Sequence, residues 1–114
     1  MNRTYQQVYV VPGTLAANHS FQFAAHGNCT LIHASLSNTS ANAGTLKIGT
    51  ASDDDAYLAA TNFGVSSTPA EVGRSGFVGG QYPVIPDGGV VALTITDHAS
   101  HMAGVCVVLT YAEG

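Results

Sequence analysis

Only 9% of the 114 residues are charged and the formal net charge is −4, where an average globular protein carries roughly 25% charged residues. The whole basic inventory is Arg3, Lys47 and Arg74. That is too little to neutralise a run of phosphates or to hold an anionic membrane, so neither nucleic acid nor a membrane is an expected partner. A chain of this length buries roughly 65% of its unfolded surface, so one domain over residues 1–114 is expected to fold without an obligatory disulfide or metal. Its surface must be built from small neutral groups, which suits close packing against other subunits better than life as a monomer kept soluble by charge.

Residues 1–7 are polar, carry no apolar signal segment and offer Arg3 and Tyr5 as an arm able to reach a neighbouring subunit. No run approaches the length needed to span a bilayer, and synthesis and assembly in a cytoplasm-like compartment are expected. The sequons at Asn2, Asn18, Asn28 and Asn38 are then chance. Thr4 to Val11 reads as a first strand with Tyr5 on one face and Val8 and Val10 on the other, stopped by Pro12-Gly13. His19 to Ala25 gives a second, with Phe21, Phe23 and Ala25 on the core face and a reversal at His26-Gly27-Asn28.

Cys29 to Asn38 alternates as a third strand, with Ile32, Ala34 and Leu36 facing one way and Cys29, Leu31 and His33 the other. The small-residue stretch Asn38 to Gly44 then reads as a hairpin loop. Thr45 to Thr50 points Leu46 and Ile48 inward, with Gly49 marking a bulge or a close backbone approach. Ser52 is placed to cap one helical turn over Asp53 to Asp55. Thr61 to Ser66 and Glu71 to Val78 are weak, Gly-interrupted strands flanking a loop-rich middle, and Tyr82 to Gly89 crosses back with two prolines and an Asp87-Gly88 turn.

The last quarter carries the strongest pattern. Val91, Leu93 and Ile95 alternate with Ala92, Thr94 and Thr96, whereas Val105 to Tyr111 is apolar on both faces. The two read as a core hairpin around a polar loop. Cover for the second face of 105–111 is expected from a loop or a neighbouring subunit, which nominates Cys106, Val108 and Thr110 as oligomer-interface residues. About eight short strands without helical periodicity predict an all-β, antiparallel, jelly-roll-like β-sandwich.

No motif declares a chemistry. Asp53, Asp54 and Asp55 lack the ligand spacing, glycine and terminal glutamate of an EF-hand loop. His98 and His101 are two imidazoles with no third ligand nominated, and His19, His26 and His33 are scattered, so no metal and no cofactor is expected. Cys29 and Cys106 read as small buried hydrophobes in strands, with a disulfide between them as the alternative. Gly73-Arg-Ser-Gly-Phe lacks the strand-turn-helix setting of a nucleophile elbow, nothing brings two carboxylates across a cleft, and the chain is not expected to be an enzyme.

Two stretches carry a resemblance: Gly44-Thr-Leu-Lys-Ile-Gly-Thr-Ala-Ser-Asp-Asp-Asp-Ala-Tyr-Leu, and Thr94-Ile-Thr-Asp with the closing Gly104-Val-Cys-Val-Val-Leu-Thr-Tyr. In these, and in its neutral Ser/Thr/Asn/Gly/Ala texture, the chain resembles the small all-β virion proteins of tailed bacteriophages, most closely capsid decoration or cement proteins. That resemblance implies a jelly-roll-like protomer, commonly a homotrimer on the capsid exterior. It would clamp neighbouring subunits of the major capsid protein against the pressure of packaged DNA. A second class stays open, a carbohydrate- or receptor-binding module of a phage fibre or tail, in which Tyr57, Phe63, Phe77 and Tyr82 would stack on sugar rings.

Overall fold

The computed structural model describes residues 3–25 and 27–113. Nine strands run in chain order: β1 (Thr4–Thr14), β2 (His19–Ala24), β3 (Cys29–Ser37), β4 (Thr45–Gly49), β5 (Leu58–Asn62), β6 (Ala70–Val72), β7 (Val84–Ile85), β8 (Val90–Thr96) and β9 (Ala103–Glu113). One antiparallel sheet has the order β1-β9-β3-β6, with β7 also on β3, and the other has the order β2-β8-β4-β5. The pairs β1·β9, β2·β8, β3·β6 and β4·β5 are nested, so the chain is a long folded ribbon wrapped until β9 meets β3 and β8 meets β4. With β7 set aside as a short addition, this is the eight-stranded jelly roll that the strand pattern predicts.

The core lies between the two sheets. Val91, Leu93 and Ile95 of β8 and Leu46 and Ile48 of β4 face Val105, Val107, Leu109 and Tyr111 of β9, all buried. The last quarter is not a hairpin, however. β8 pairs with β2 and β4 in one sheet, and β9 pairs with β1 and β3 in the other. The residues between them carry the chain across the sandwich, and Asn38 to Gly44 does the same between β3 and β4. A polar loop of several residues looks alike whether it reverses a strand or changes sheet.

Smaller departures have local causes. β1 runs on through Pro12 and Gly13 to Thr14, because the register shift between Val11 and Thr14 absorbs the turn residues as a bulge. In β3 the register shifts between Leu31 and His33, so one extra residue puts Cys29 and Leu31 on the same buried face as Ala34 and Leu36. Simple alternation had separated these pairs. Around Asp53 to Asp55 there is a turn and no helix. Thr50 Oγ1, not Ser52, accepts from Asp53 N at 3.1 Å. Strand β5 begins at Leu58, upstream of its expected start at Thr61, and the 71–78 stretch is strand only to Val72, followed by two single 3-10 turns at Arg74–Gly76 and Val78–Gly80.

Four crossovers gather at one end of the sandwich. Buried Asn38 donates to the carbonyls of Asn42 and Gly64, Asn42 donates to those of Ser100 and His101, and Leu15 N donates to the carbonyl of Met102. Leu15 and Met102 plug this end. At the other end Gly27 N donates to Asp87 Oδ1 and Asp87 N donates to Asn28 Oδ1. The asparagines of three sequons thus serve the loops, since Asn18 Oδ1 also accepts from Asp97 N; Asn2 lies outside the described residues, as does His26 of the expected reversal.

Cys29 points into the core at the row of Glu113, while Cys106 points outward seven residues earlier on β9, about 23 Å away at the rise of a strand. No disulfide can join them without unfolding the sheet. A reducing agent is therefore expected to leave the melting temperature unchanged, whereas a loss matching the roughly 2–5 kcal/mol of a removed native bridge would contradict this geometry. Gly49 is a true close approach: a Cβ there would collide with the carbonyl of Asp53. Gly49→Ala is expected to lower stability by about 2 kcal/mol or more, measured by denaturant unfolding.

Candidate interaction surfaces

Two surfaces are set by the edge position of β1. The first is the outer face of the β1-β9-β3-β6 sheet. Register puts Val8 of β1 beside Val108 of β9, then Ser35 of β3 and Glu71 of β6; the next row is Val10, Cys106 and Ser37, and the row on the other side is Gln6, Thr110 and His33. The face is therefore apolar on the β1 and β9 side and polar on the β3 and β6 side. Cys106, Val108 and Thr110, the residues nominated for an oligomer interface, do share this face and are half-buried by their neighbours. Val8 and Val10 beside them are 57% and 56% exposed.

On the polar side His33 Nε2 lies 2.7 Å from Glu71 Oε2, and Ser35 Oγ donates to Glu71 Oε1 at 3.1 Å. The hydrogen bond from His33 holds the Glu71 carboxyl below the usual carboxylate range. Both partners are wet, with 41% and 54% of their side chains exposed, so the pair contributes little to stability.

The second surface is a seam between β1 and β2, the edge strands of the two sheets on one side of the sandwich. Tyr5, Gln7 and Tyr9 point from β1 into the seam, and Phe21 and Phe23 point from β2. Tyr9 stacks on Phe21 with ring centroids 3.8 Å apart, and Tyr5 stacks on Tyr111 at 5.2 Å. Tyr111 Oη donates to Gln7 Oε1 at 3.2 Å, and Tyr9 Oη lies 3.1 Å from His19 Nδ1. Two cavities of about 210 and 200 Å³ lie along the seam and share Gln7 and Phe23 as common walls. Burial, helped by a hydrogen bond with Cys29, pushes the Tyr5 phenol up to about 12, and burial raises that of Tyr111 as well.

Residues 4–7 are not a free arm. Thr4 to Gln7 pair with Leu109 to Ala112, Glu113 N donates to the carbonyl of Arg3 at 2.7 Å, and the Arg3 guanidinium lies 3.4 Å from Glu113 Oε2. Met1 and Asn2 lie outside the described residues. The aromatics proposed for sugar stacking are not gathered either: Phe63 and Phe77 are core residues, 3% and 2% exposed, and Tyr57 packs half-buried against the core, which leaves Tyr82 exposed. The seam aromatics are a different set, absent from that selection. Their alternation along Tyr5 to Tyr9 and Phe21 to Phe23 is legible in the sequence, but not that the two strands end up as facing edges.

The polar clusters serve loops. Asp97 Oδ1 accepts from the backbone N–H groups of His98 and Met102, and Asp97 Oδ2 lies 2.7 Å from His101 Nδ1. His98 Nδ1 accepts from Ser100 N. The two imidazoles considered as metal ligands thus each have a partner within the crossover itself. Among the described residues, the group of three potential ligands close enough to share an ion is Asp53, Asp54 and Asp55, all exposed. A hydrogen bond with Asp53 raises the Asp55 carboxyl.

No family model matches the sequence, and no curated protein matches it. Among solved structures, a chain of the cyanophage Pam1 capsid asymmetric unit is similar, with a TM-score of 0.61 over 99% of this chain and 85% of that one, at 18% identity. At that identity the likeness is one of fold.

Asp97 is the organising residue of the β8-to-β9 crossover, with a side chain 6% exposed. Burial pushes its carboxyl up, but the hydrogen bonds from His101, Met102 N and His98 N outweigh that and hold it below its ordinary value of 3.8. A depressed carboxylate stabilises the fold above the unfolded-state value, and that stability is lost as pH falls through the folded-state value. Asp97→Ala is expected to cost about 2–3 kcal/mol at neutral pH by orphaning amide donors. The difference between mutant and wild type should shrink as pH drops below about 4, as read by denaturant unfolding at several pH values.

Proposed function

We propose that this chain is a structural protein of a tailed-phage head, a decoration protein that sits on the capsid exterior and bridges major capsid subunits. The observation that carries this reading is the fold likeness to a phage capsid chain over 99% of the residues, joined to a jelly-roll order that viral capsid domains use repeatedly. Fold alone hosts many functions, so the surface must agree. It does: 9% charged residues and a face of Val8, Val10, Cys106 and Val108 favour neutral association over ionic docking. The reading assigns no catalysis to the chain.

In its finer form the proposal is a homotrimer. Protomers meet on the outer face around Cys106, Val108 and Thr110, and the Arg3 and Tyr5 end of β1 is directed to the capsid. Three contacts to a correctly spaced lattice add avidity to each weak one, so expanded shells are favoured over compact precursors. Because Val108 is only half-buried within the protomer, Val108→Lys is expected to yield a folded monomer, seen as a threefold drop in mass by light scattering with the β-sheet circular dichroism retained. An unchanged mass would reject this interface.

Binding itself is tested by co-sedimentation with undecorated, expanded phage shells, followed by heating. Binding is expected to change little between 0.1 and 1 M salt, although the Debye length shrinks from about 10 to about 3 Å over that range. The temperature of shell disruption is expected to rise. Absence of binding at every salt concentration, or binding without stabilisation, would remove the decoration reading.

A further inference from the structure

β1 is an edge strand of 11 residues, paired with β9 along one side only. In an antiparallel ladder every second residue turns its N–H and C=O away from the partner, so β1 offers a row of free donors and acceptors on its other side. Proteins normally blunt such an edge with charge, proline or brevity. This one is long, has no charged residue between Thr4 and Thr14, and keeps its proline at position 12, beyond the stretch that pairs without interruption.

The seam cavities lie beside this edge. One is walled from β1 by Tyr5 and Gln7, the other by Gln7, Val8 and Tyr9. They are thus offset by about two residues, the spacing at which an extended strand repeats side chains on one face, roughly 6.7 Å. Gln7 and Ala24 at the first cavity are exposed, so it opens to solvent. Val8 and Val10 stand exposed on the opposite face of β1, where the alternate side chains of an added strand would pass.

We infer that the free edge of β1 is the seat of an extended, uncharged segment contributed by another chain of the shell. The segment adds as a strand to the sheet, drops two apolar side chains of successive same-face positions into the seam cavities, and lays its others beside Val8 and Val10. This is strand addition, in which backbone bonds supply affinity and alternating pockets supply specificity. Neutrality of the edge selects a neutral segment. A second copy of β1 does not fit the role, because its inward side chains are already committed: Tyr5 to Tyr111, Gln7 to the Tyr111 hydroxyl and Tyr9 to Phe21 and His19. The other edge strands, β2, β5, β6 and β7, are six residues or shorter. The choice of a shell chain as donor rests on the decoration reading.

The test is amide hydrogen exchange of the full-length protein, free and bound to undecorated expanded shells, with Gln7→Lys as the variant. Gln7 borders both cavities and points away from the outer face, so a lysine there obstructs the seam without touching Val108. The expected result is that alternate amides of Thr4 to Val11 exchange at least tenfold more slowly in the bound state. Gln7→Lys, still folded and with its oligomeric mass retained despite the lost acceptor of the Tyr111 hydroxyl, should weaken shell binding about tenfold. Shell binding with unchanged exchange along β1 and unimpaired binding by the variant would overturn the inference and leave the decoration reading standing. Absence of shell binding would remove that reading and the shell donor with it. Protection of β1 that grows with protein concentration without shells would replace the shell donor by a second copy.

Discussion

The structure depends on the burial of one shared stripe between its two sheets. Val91, Leu93 and Ile95 of β8 meet Val105, Val107, Leu109 and Tyr111 of β9, the strands nearest the centre of each sheet. Each such side chain contributes about 1.5–3 kcal/mol when removed from water. Since neither strand pairs with the other, the stripe also acts as the glue between sheets that share few backbone bonds. The crossovers that join them must then satisfy their own polar groups, which explains why the asparagines and Asp97 are spent at the ends of the sandwich.

Placing β9 inside its sheet leaves β1 at the margin. That single consequence of the wrapping order produces both surfaces. The outer face gains exposed valines because β1 has no neighbour to shade Val8 and Val10, and the seam opens because the facing edge, β2, belongs to the other sheet. Aromatic rings partly close it by stacking on one another. Tyrosine suits such a position, with its ring in the core margin and its hydroxyl at the wet rim.

The low charge acts on both surfaces. With three basic residues in the whole chain, two of them already in ion pairs, Arg3 with Glu113 and Lys47 with Asp54, both surfaces offer a partner shape, apolar area and neutral hydrogen bonds in place of charge. An open, uncharged strand edge is a liability in a free protein. On a particle assembled from many chains the same edge would serve as a point of attachment, and it is on this that the proposed decoration role would draw.

The sequence by itself determined the sandwich class and the inward residues of the regular strands, because period-two burial is written locally: Leu46 and Ile48, and Val91, Leu93 and Ile95, face the core as their spacing requires. It also determined the neutral surface. The tertiary structure alone decided which strands pair, and so whether 97–102 reverses the chain or carries it across the sandwich, since turn residues report a change of direction and not its destination. It alone moved Cys29 and Leu31 onto the face of Ala34 and Leu36, by a bulge that costs one residue and leaves no mark in composition. It alone buried Phe63 and Phe77 while leaving Tyr5, Phe21 and Phe23 at an open seam, because which aromatics are covered depends on the strand left at the edge, and that is fixed only when β9 chooses its neighbours.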